Sequence, residues 1–182
     1  MGDGMNWAEL AALASAAVAT FTAIFFARAA WHKAWDFWAF TGFVADYRLL
    51  PARAVVPAAG AILLIETLVV LAMLVPGARV PGLVTGAVMV AAYGAAIAAN
   101  LARGHTRIEC GCGGAPQPLG PALVVRNAGL AALMLAGGAG ADGILGLAGA
   151  GAAIAAGGAL FITYLLFDQI ISNAADPVAR RS

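Results

Sequence analysis

Residues 55–75 read VVPAAGAILLIETLVVLAMLV, an apolar run broken by a single charged residue, Glu66. Coiled as an α-helix it extends for about 31 Å, the thickness of a bilayer's hydrocarbon core. A strand of that length would leave its backbone groups unpaired in lipid, whereas a helix satisfies them internally. The run is therefore a membrane span, and it sets the pattern for the rest of the chain.

Composition extends that reading to the whole sequence. Of 182 residues, 63% are hydrophobic and 10% charged, against about 25% charged in soluble domains, and mean hydropathy is +0.91. A formal net charge of +1 gives no electrostatic reason to expect nucleic acid as a partner. The opening MGDGMNWAEL has Asp3 and Glu9 but no Lys or Arg, unlike the positive start of a signal peptide. The first apolar run is accordingly read as a retained helix.

Five spans are predicted, at 8–30, 55–75, 83–101, 122–140 and 144–167, in a single membrane domain over 1–182. Turn-rich breaks, VPGARVPG at 75–82 and GGAGADG at 137–143, separate them. Gly82 and Gly86 stand in GxxxG spacing and the fifth run is rich in Gly and Ala, so close helix contact within the bundle is expected. Segment 31–51, WHKAWDFWAFTGFVADYRLLP, interleaves Trp and Phe with His32, Lys33, Asp36, Asp46 and Arg48. Aromatics mixed with charges suit the headgroup region, so this segment is predicted to be an interfacial helix ending at Pro51. The fold class is all-α: an integral membrane bundle of about five spans plus that helix.

Polar residues inside such a bundle are candidate functional residues. Glu66 should be either neutral or matched by a buried partner such as Arg126. Starting the fourth span after Arg126 would leave only about 22 Å of helix, so Arg126 must lie at or below the membrane boundary and snorkel or pair. Asn127 and Asn100 fall near the same membrane face. Arg103, His105 and Glu109 lead into the loop at 103–121.

That loop holds both cysteines of the chain, in RIECGCGGAPQPLG at 107–120. Cys110 and Cys112 can close a small ring, with Gly111 removing the Cβ that would most oppose it. A strained ring of this kind exchanges readily and adds little as a staple. The pair is read as a redox site, with Cys110 and Cys112 as the catalytic residues. Two rival readings are a metal site completed by His105, for which the rest of a typical ligand set is missing, and a merely structural loop.

The runs ARGHTRIECGCGG at 102–114, VVRN at 124–127, WHKAWDF at 31–37 and ADYRLLP at 45–51, together with a span carrying Glu66, resemble the MauE branch of the MauE/DoxX redox-associated membrane proteins. The resemblance covers about Phe21 to Leu135, with Gly113-Gly114 where the family often has Phe-Gly. It implies a compact core like the four-helix DsbB and vitamin K epoxide reductase membrane thiol oxidoreductases. It also implies a bacterial inner-membrane protein that works with a thioredoxin-like disulfide oxidoreductase of the MauD type, in the maturation of methylamine dehydrogenase. Motif matching carries interest to Lys33, Tyr47, Pro51, Glu66, Cys110, Cys112, Arg126 and Asn127.

With only one thiol pair, such a protein must face a quinone directly or rely on its partner for reoxidation. The basic residues cluster at the cysteine end, which by the positive-inside rule favours a cytoplasmic loop. Disulfide chemistry favours the opposite side, and the loop is expected to be extracytoplasmic. Two alternative functions remain: a membrane scaffold whose cysteines merely close a loop, and a carrier of metal or small molecules built around Glu66.

Overall fold

The computed structural model describes residues 7–75, 77–105, 119–139 and 145–175. Among them every regular element is a helix: α1 (Trp7–Trp35), α2 (Phe37–Asp46), α3 (Ala52–Leu74), α4 (Arg79–Ala102), α5 (Pro121–Gly138) and α6 (Leu147–Ala175). All but α2 are long and apolar enough to cross a membrane. The protein is a multi-pass membrane protein, with α2 as its short extra helix.

Where apolar and polar groups sit follows from lipid as the outer solvent. Leu64, Leu68, Leu71, Val88, Val125, Ile162 and Leu166 are exposed, whereas Lys33, Glu66, Asn100, Arg126, Asn127 and Asp168 are buried. A water-soluble fold would reverse that arrangement. The core packs Phe21 and Phe26 of α1 against Val69, Leu83, Val90, Leu130 and Met134. Helix α1 is central, touching all the other helices.

Small residues allow the helices to approach closely. A Cβ at Gly137 would stand 2.6 Å from Val18 Cγ1, and one at Gly157 would stand 2.6 Å from the Ala17 carbonyl oxygen. Gly82 faces Ala72 and Met73, and Gly86 faces Phe26, Met134 and Val69. The GxxxG pair is thus spent on contacts inside this chain, as bundle packing requires.

Helix boundaries differ from the expected spans at two places that matter. The first helix continues from Ala30 to Trp35, so Lys33 lies in its last turn and is buried. The reading of Lys33 as part of an interfacial segment beginning at Trp31 is corrected here. Asp36 then caps α2, its Oδ1 accepting from the Ala39 N–H at 2.9 Å. The last helix runs past Phe167, which brings Asp168 inside it.

Candidate functional site

Lys33 on α1, Glu66 on α3 and Tyr93 on α4 meet inside the bundle. Lys33 Nζ donates to Glu66 Oε1 at 2.7 Å, with the two side chains 4% and 0% exposed. The Tyr93 hydroxyl donates to the same oxygen at 2.7 Å. Lys33 Nζ also lies 5.3 Å from the Phe40 ring centroid and 5.6 Å from that of Tyr93, within reach of a cation–π contact. Glu66 lies about 21 Å along α3 from Ala52 and about 12 Å from Leu74, deep in the membrane. A long side chain near a helix end points back toward the N-terminus, which lets Lys33 reach that depth from the last turn of α1.

Two polar valences of this cluster stay open. Glu66 Oε2 is buried and has no hydrogen-bond partner among the described residues. An ammonium group carries three protons, and among the described residues the hydrogen bond from Lys33 goes to Glu66.

A second buried ion pair joins α5 to α6. Arg126 Nη1 donates to Asp168 Oδ1. Sequence suggests a neutral Glu66 or a buried partner such as Arg126, and the geometry corrects the suggested partner: Glu66 is matched by Lys33, and Arg126 by Asp168. Paired with these acids, Lys33 and Arg126 add no net charge to the interior of the bundle. Asn127, next to Arg126, is buried and donates to the Leu123 carbonyl at 2.9 Å, while Asn100 donates to the Ala96 carbonyl at 3.1 Å. Both amides are held by their own helices. Asn127 packs where α4 is thinnest, its Cβ only 3.2 Å from the place of a Cβ on Gly94.

The ends of the cysteine loop are set by local chain chemistry. Helix α4 ends at Ala102, and two residues on Gly104 takes a φ of +74°, which suits glycine. The Gly104 N–H bonds to Leu101 O and the His105 N–H to Asn100 O, both at 3.0 Å, the paired closure of a helix C-terminus. His105 thus leaves α4 in a fixed direction, and Pro121 opens α5 at its first turn, where proline is favoured. Leu119 and Leu123 pack with Ile97 and Tyr47, tying the end of α2 to both flanks of the loop. Pro51 caps α3 nearby. Cys110 and Cys112 lie outside the described residues.

Of the residues singled out from sequence, Lys33 and Glu66 come together, and Tyr47 lies on the wall of the cavity beside Lys33. Arg126 joins a different cluster. Two participants carried no signal strong enough to be named beforehand. Tyr93 sits in an apolar run where an aromatic reads as ordinary core. Asp168 stands one residue beyond the expected end of the fifth span, and the need of Arg126 for an acid was the available clue.

A family model described as methylamine utilisation protein MauE matches residues 10–140. The chain belongs to the MauE family. The methylamine utilization protein MauE of Paracoccus denitrificans is 37% identical over 122 residues, 66% of this chain and 66% of its own length. That of Paracoccus versutus is 34% identical over 156 residues, 81% of this chain and 82% of its own. The Methylophilus methylotrophus protein of the same name is 41% identical over 73 residues, 40% of this chain and 38% of its own length. The chain thus spans just under two thirds of the first of these relatives and more of the second. No solved structure matches. Both buried ion-pair residues of the first cluster and Arg126 fall inside the matched MauE region, whereas Asp168 falls outside it.

Proposed function

We propose that this MauE-family protein is a membrane thiol–disulfide component of methylamine utilisation, exchanging a disulfide with a thioredoxin-like partner through Cys110 and Cys112. The observation that carries the reading is the pairing of the chain's only two thiols across one glycine, on the segment linking α4 to α5. Support also comes from the names of the relatives, which are methylamine utilization proteins. The exchange balances without an outside reagent. A partner thiolate attacks one sulfur of the Cys110–Cys112 disulfide, and the other sulfur leaves as a thiolate. The partner's second thiol then resolves the mixed disulfide, leaving this protein as the dithiol and the partner oxidised. The reverse sequence oxidises this protein.

In this reading the bundle is the rigid platform. Gly104 and Pro121 fix the loop's two ends, and Tyr47, Leu119 and Leu123 hold them to α2. The loop faces the extracytoplasmic side of a bacterial inner membrane, where disulfides persist. The test is trapping. With Cys112→Ala here and the resolving cysteine of the partner also replaced, the mixed disulfide between Cys110 and its partner cannot be resolved from either side, and the mirror experiment uses Cys110→Ala. One of the two variants should accumulate a covalent complex with a thioredoxin-like protein, visible on a non-reducing gel and lost on reduction. If neither variant gives such a complex while both are inserted in the membrane, a docking scaffold with a structural loop becomes the better reading.

A further inference from the structure

A groove of about 500 Å³ runs between α2 and the first turns of α3, on the face of α2 opposite the cavity beside Lys33. Trp38 and Gly42 of α2 form one wall, Val55 and Val56 of α3 the other, and Arg48 of the link between the helices completes it. Trp38 and Val56 are exposed, so the groove opens to the bilayer. Tryptophan prefers the headgroup level, while Val56 stands about 6 Å along α3 from Ala52, into the hydrocarbon.

Positive charge gathers at this end. Arg48 follows α2 in the left-handed conformation, with φ of +50°, at a position where glycine is usual because a Cβ is strained there. The chain carries an arginine in spite of that strain, which points to its side chain. Arg53 lies in the first turn of α3, which has no acidic residue and no side-chain cap, although the helix dipole there favours an anion. From the end of α4, Arg103 Nη1 reaches the Arg48 carbonyl oxygen at 3.4 Å. Among the described residues neither Arg48 nor Arg53 has an ion-pair partner. Asp46, the exposed acid at the end of α2, does not line the groove. The arginines call for an anion and the apolar walls for hydrocarbon attached to it.

We propose that this groove binds an anionic phospholipid of the bilayer, the Arg48 guanidinium donating to its phosphodiester with Arg53 and Arg103 alongside, and the upper part of an acyl chain lying between Trp38 and Val56. Guanidinium and phosphate match as a paired, charge-assisted contact. The assignment gives the basic residues of this end a ligand whichever side of the membrane they face. It is also independent of the thiols, so a variant with both Cys110→Ser and Cys112→Ser should bind lipid as the wild type does.

The experiment is thermal melting of the full chain in maltoside micelles as dioleoyl phosphatidylglycerol is added, with dioleoyl phosphatidylcholine as the zwitterionic control. A saturable rise in melting temperature is expected with phosphatidylglycerol, and phosphatidylcholine should need at least about tenfold more lipid for the same rise. Sodium phosphate, which has the anion without the chains, should leave melting unchanged. Arg48→Gly should melt at or above the wild-type temperature in lipid-free micelles, because glycine relieves the left-handed strain. It should nevertheless need at least about tenfold more phosphatidylglycerol, a split that a merely structural arginine would not give. Gly42→Leu is the second variant. A Cβ on Gly42 meets nothing within 4 Å, so the added side chain occupies the groove without displacing a neighbour and should weaken binding as much. An equal response to the two lipids, a phosphate effect equal to that of phosphatidylglycerol, or a wild-type response in either variant would each overturn the proposal.

Discussion

In detergent, Lys33→Met should melt well below the wild-type protein, having lost about 3–5 kcal/mol of stability. The cause is what remains rather than what is removed. Glu66 is fully buried, and without Lys33 the Tyr93 hydroxyl is the one hydrogen-bond donor left to its charge among the described residues. The converse change, Glu66→Leu, strands the ammonium and takes one acceptor from the Tyr93 hydroxyl, and should cost a similar amount. Replacing both partners, Lys33→Met with Glu66→Leu, should recover most of the loss, since a buried ion pair contributes little net stability over apolar groups of similar size. The recovery should be incomplete, because the Tyr93 hydroxyl loses Glu66 as an acceptor, and adding Tyr93→Phe should remove that residue of the effect. A strong coupling between positions 33 and 66 in the double-mutant cycle is the quantity to measure. Additive losses would mean that the pair does not form.

The second large effect concerns Arg126 and Asp168. Helix α6 buries little of its surface, and toward its C-terminal end the Arg126–Asp168 pair and Ile171 hold it to the bundle. Arg126→Leu should therefore both destabilise the protein by about 3–5 kcal/mol and loosen that end of α6, seen as faster amide exchange from Asp168 to Asn173 with slower-exchanging amides retained in α1. Arg126→Leu combined with Asp168→Leu should restore both. The same set of variants separates the two clusters. Arg126 and Glu66 changes should add to within about 0.3–0.5 kcal/mol, as distant sites do, and coupling above that would return Arg126 to Glu66.

The membrane character of the fold was legible because lipid imposes long apolar helices and nothing else crosses so simply. Glu66, Lys33 and Arg126 were each legible as costly residues. Their pairing was not, because Lys33 and Glu66 are 33 residues apart and Arg126 and Asp168 are 42 apart, and the register of packed helices decides which acid meets which base. Composition ends the first span at Ala30, because Trp31, His32 and Lys33 look interfacial. The helix runs on to Trp35, and the direction of a helical side chain then carries Lys33 inward. The exposed Trp31, Trp35 and Trp38 keep the interfacial character that composition suggested, so one short stretch serves both environments. Tyr93 gave no warning because hydrogen bonding from a tyrosine in an apolar run has no sequence signature.

The central claim is that Cys110 and Cys112 cycle between dithiol and disulfide on the extracytoplasmic side. The most direct measurement is the redox state of the pair in intact cells, quenched with acid, with free thiols then tagged by a mass-adding maleimide. The account predicts a mixture of forms carrying no tags and two tags, shifting toward the tagged form under a reductant and toward the untagged form under an oxidant. It also predicts labelling of the reduced pair by an impermeant maleimide without permeabilisation. A pair that stays in one state through both challenges, or that is labelled only after the membrane is opened, would contradict it.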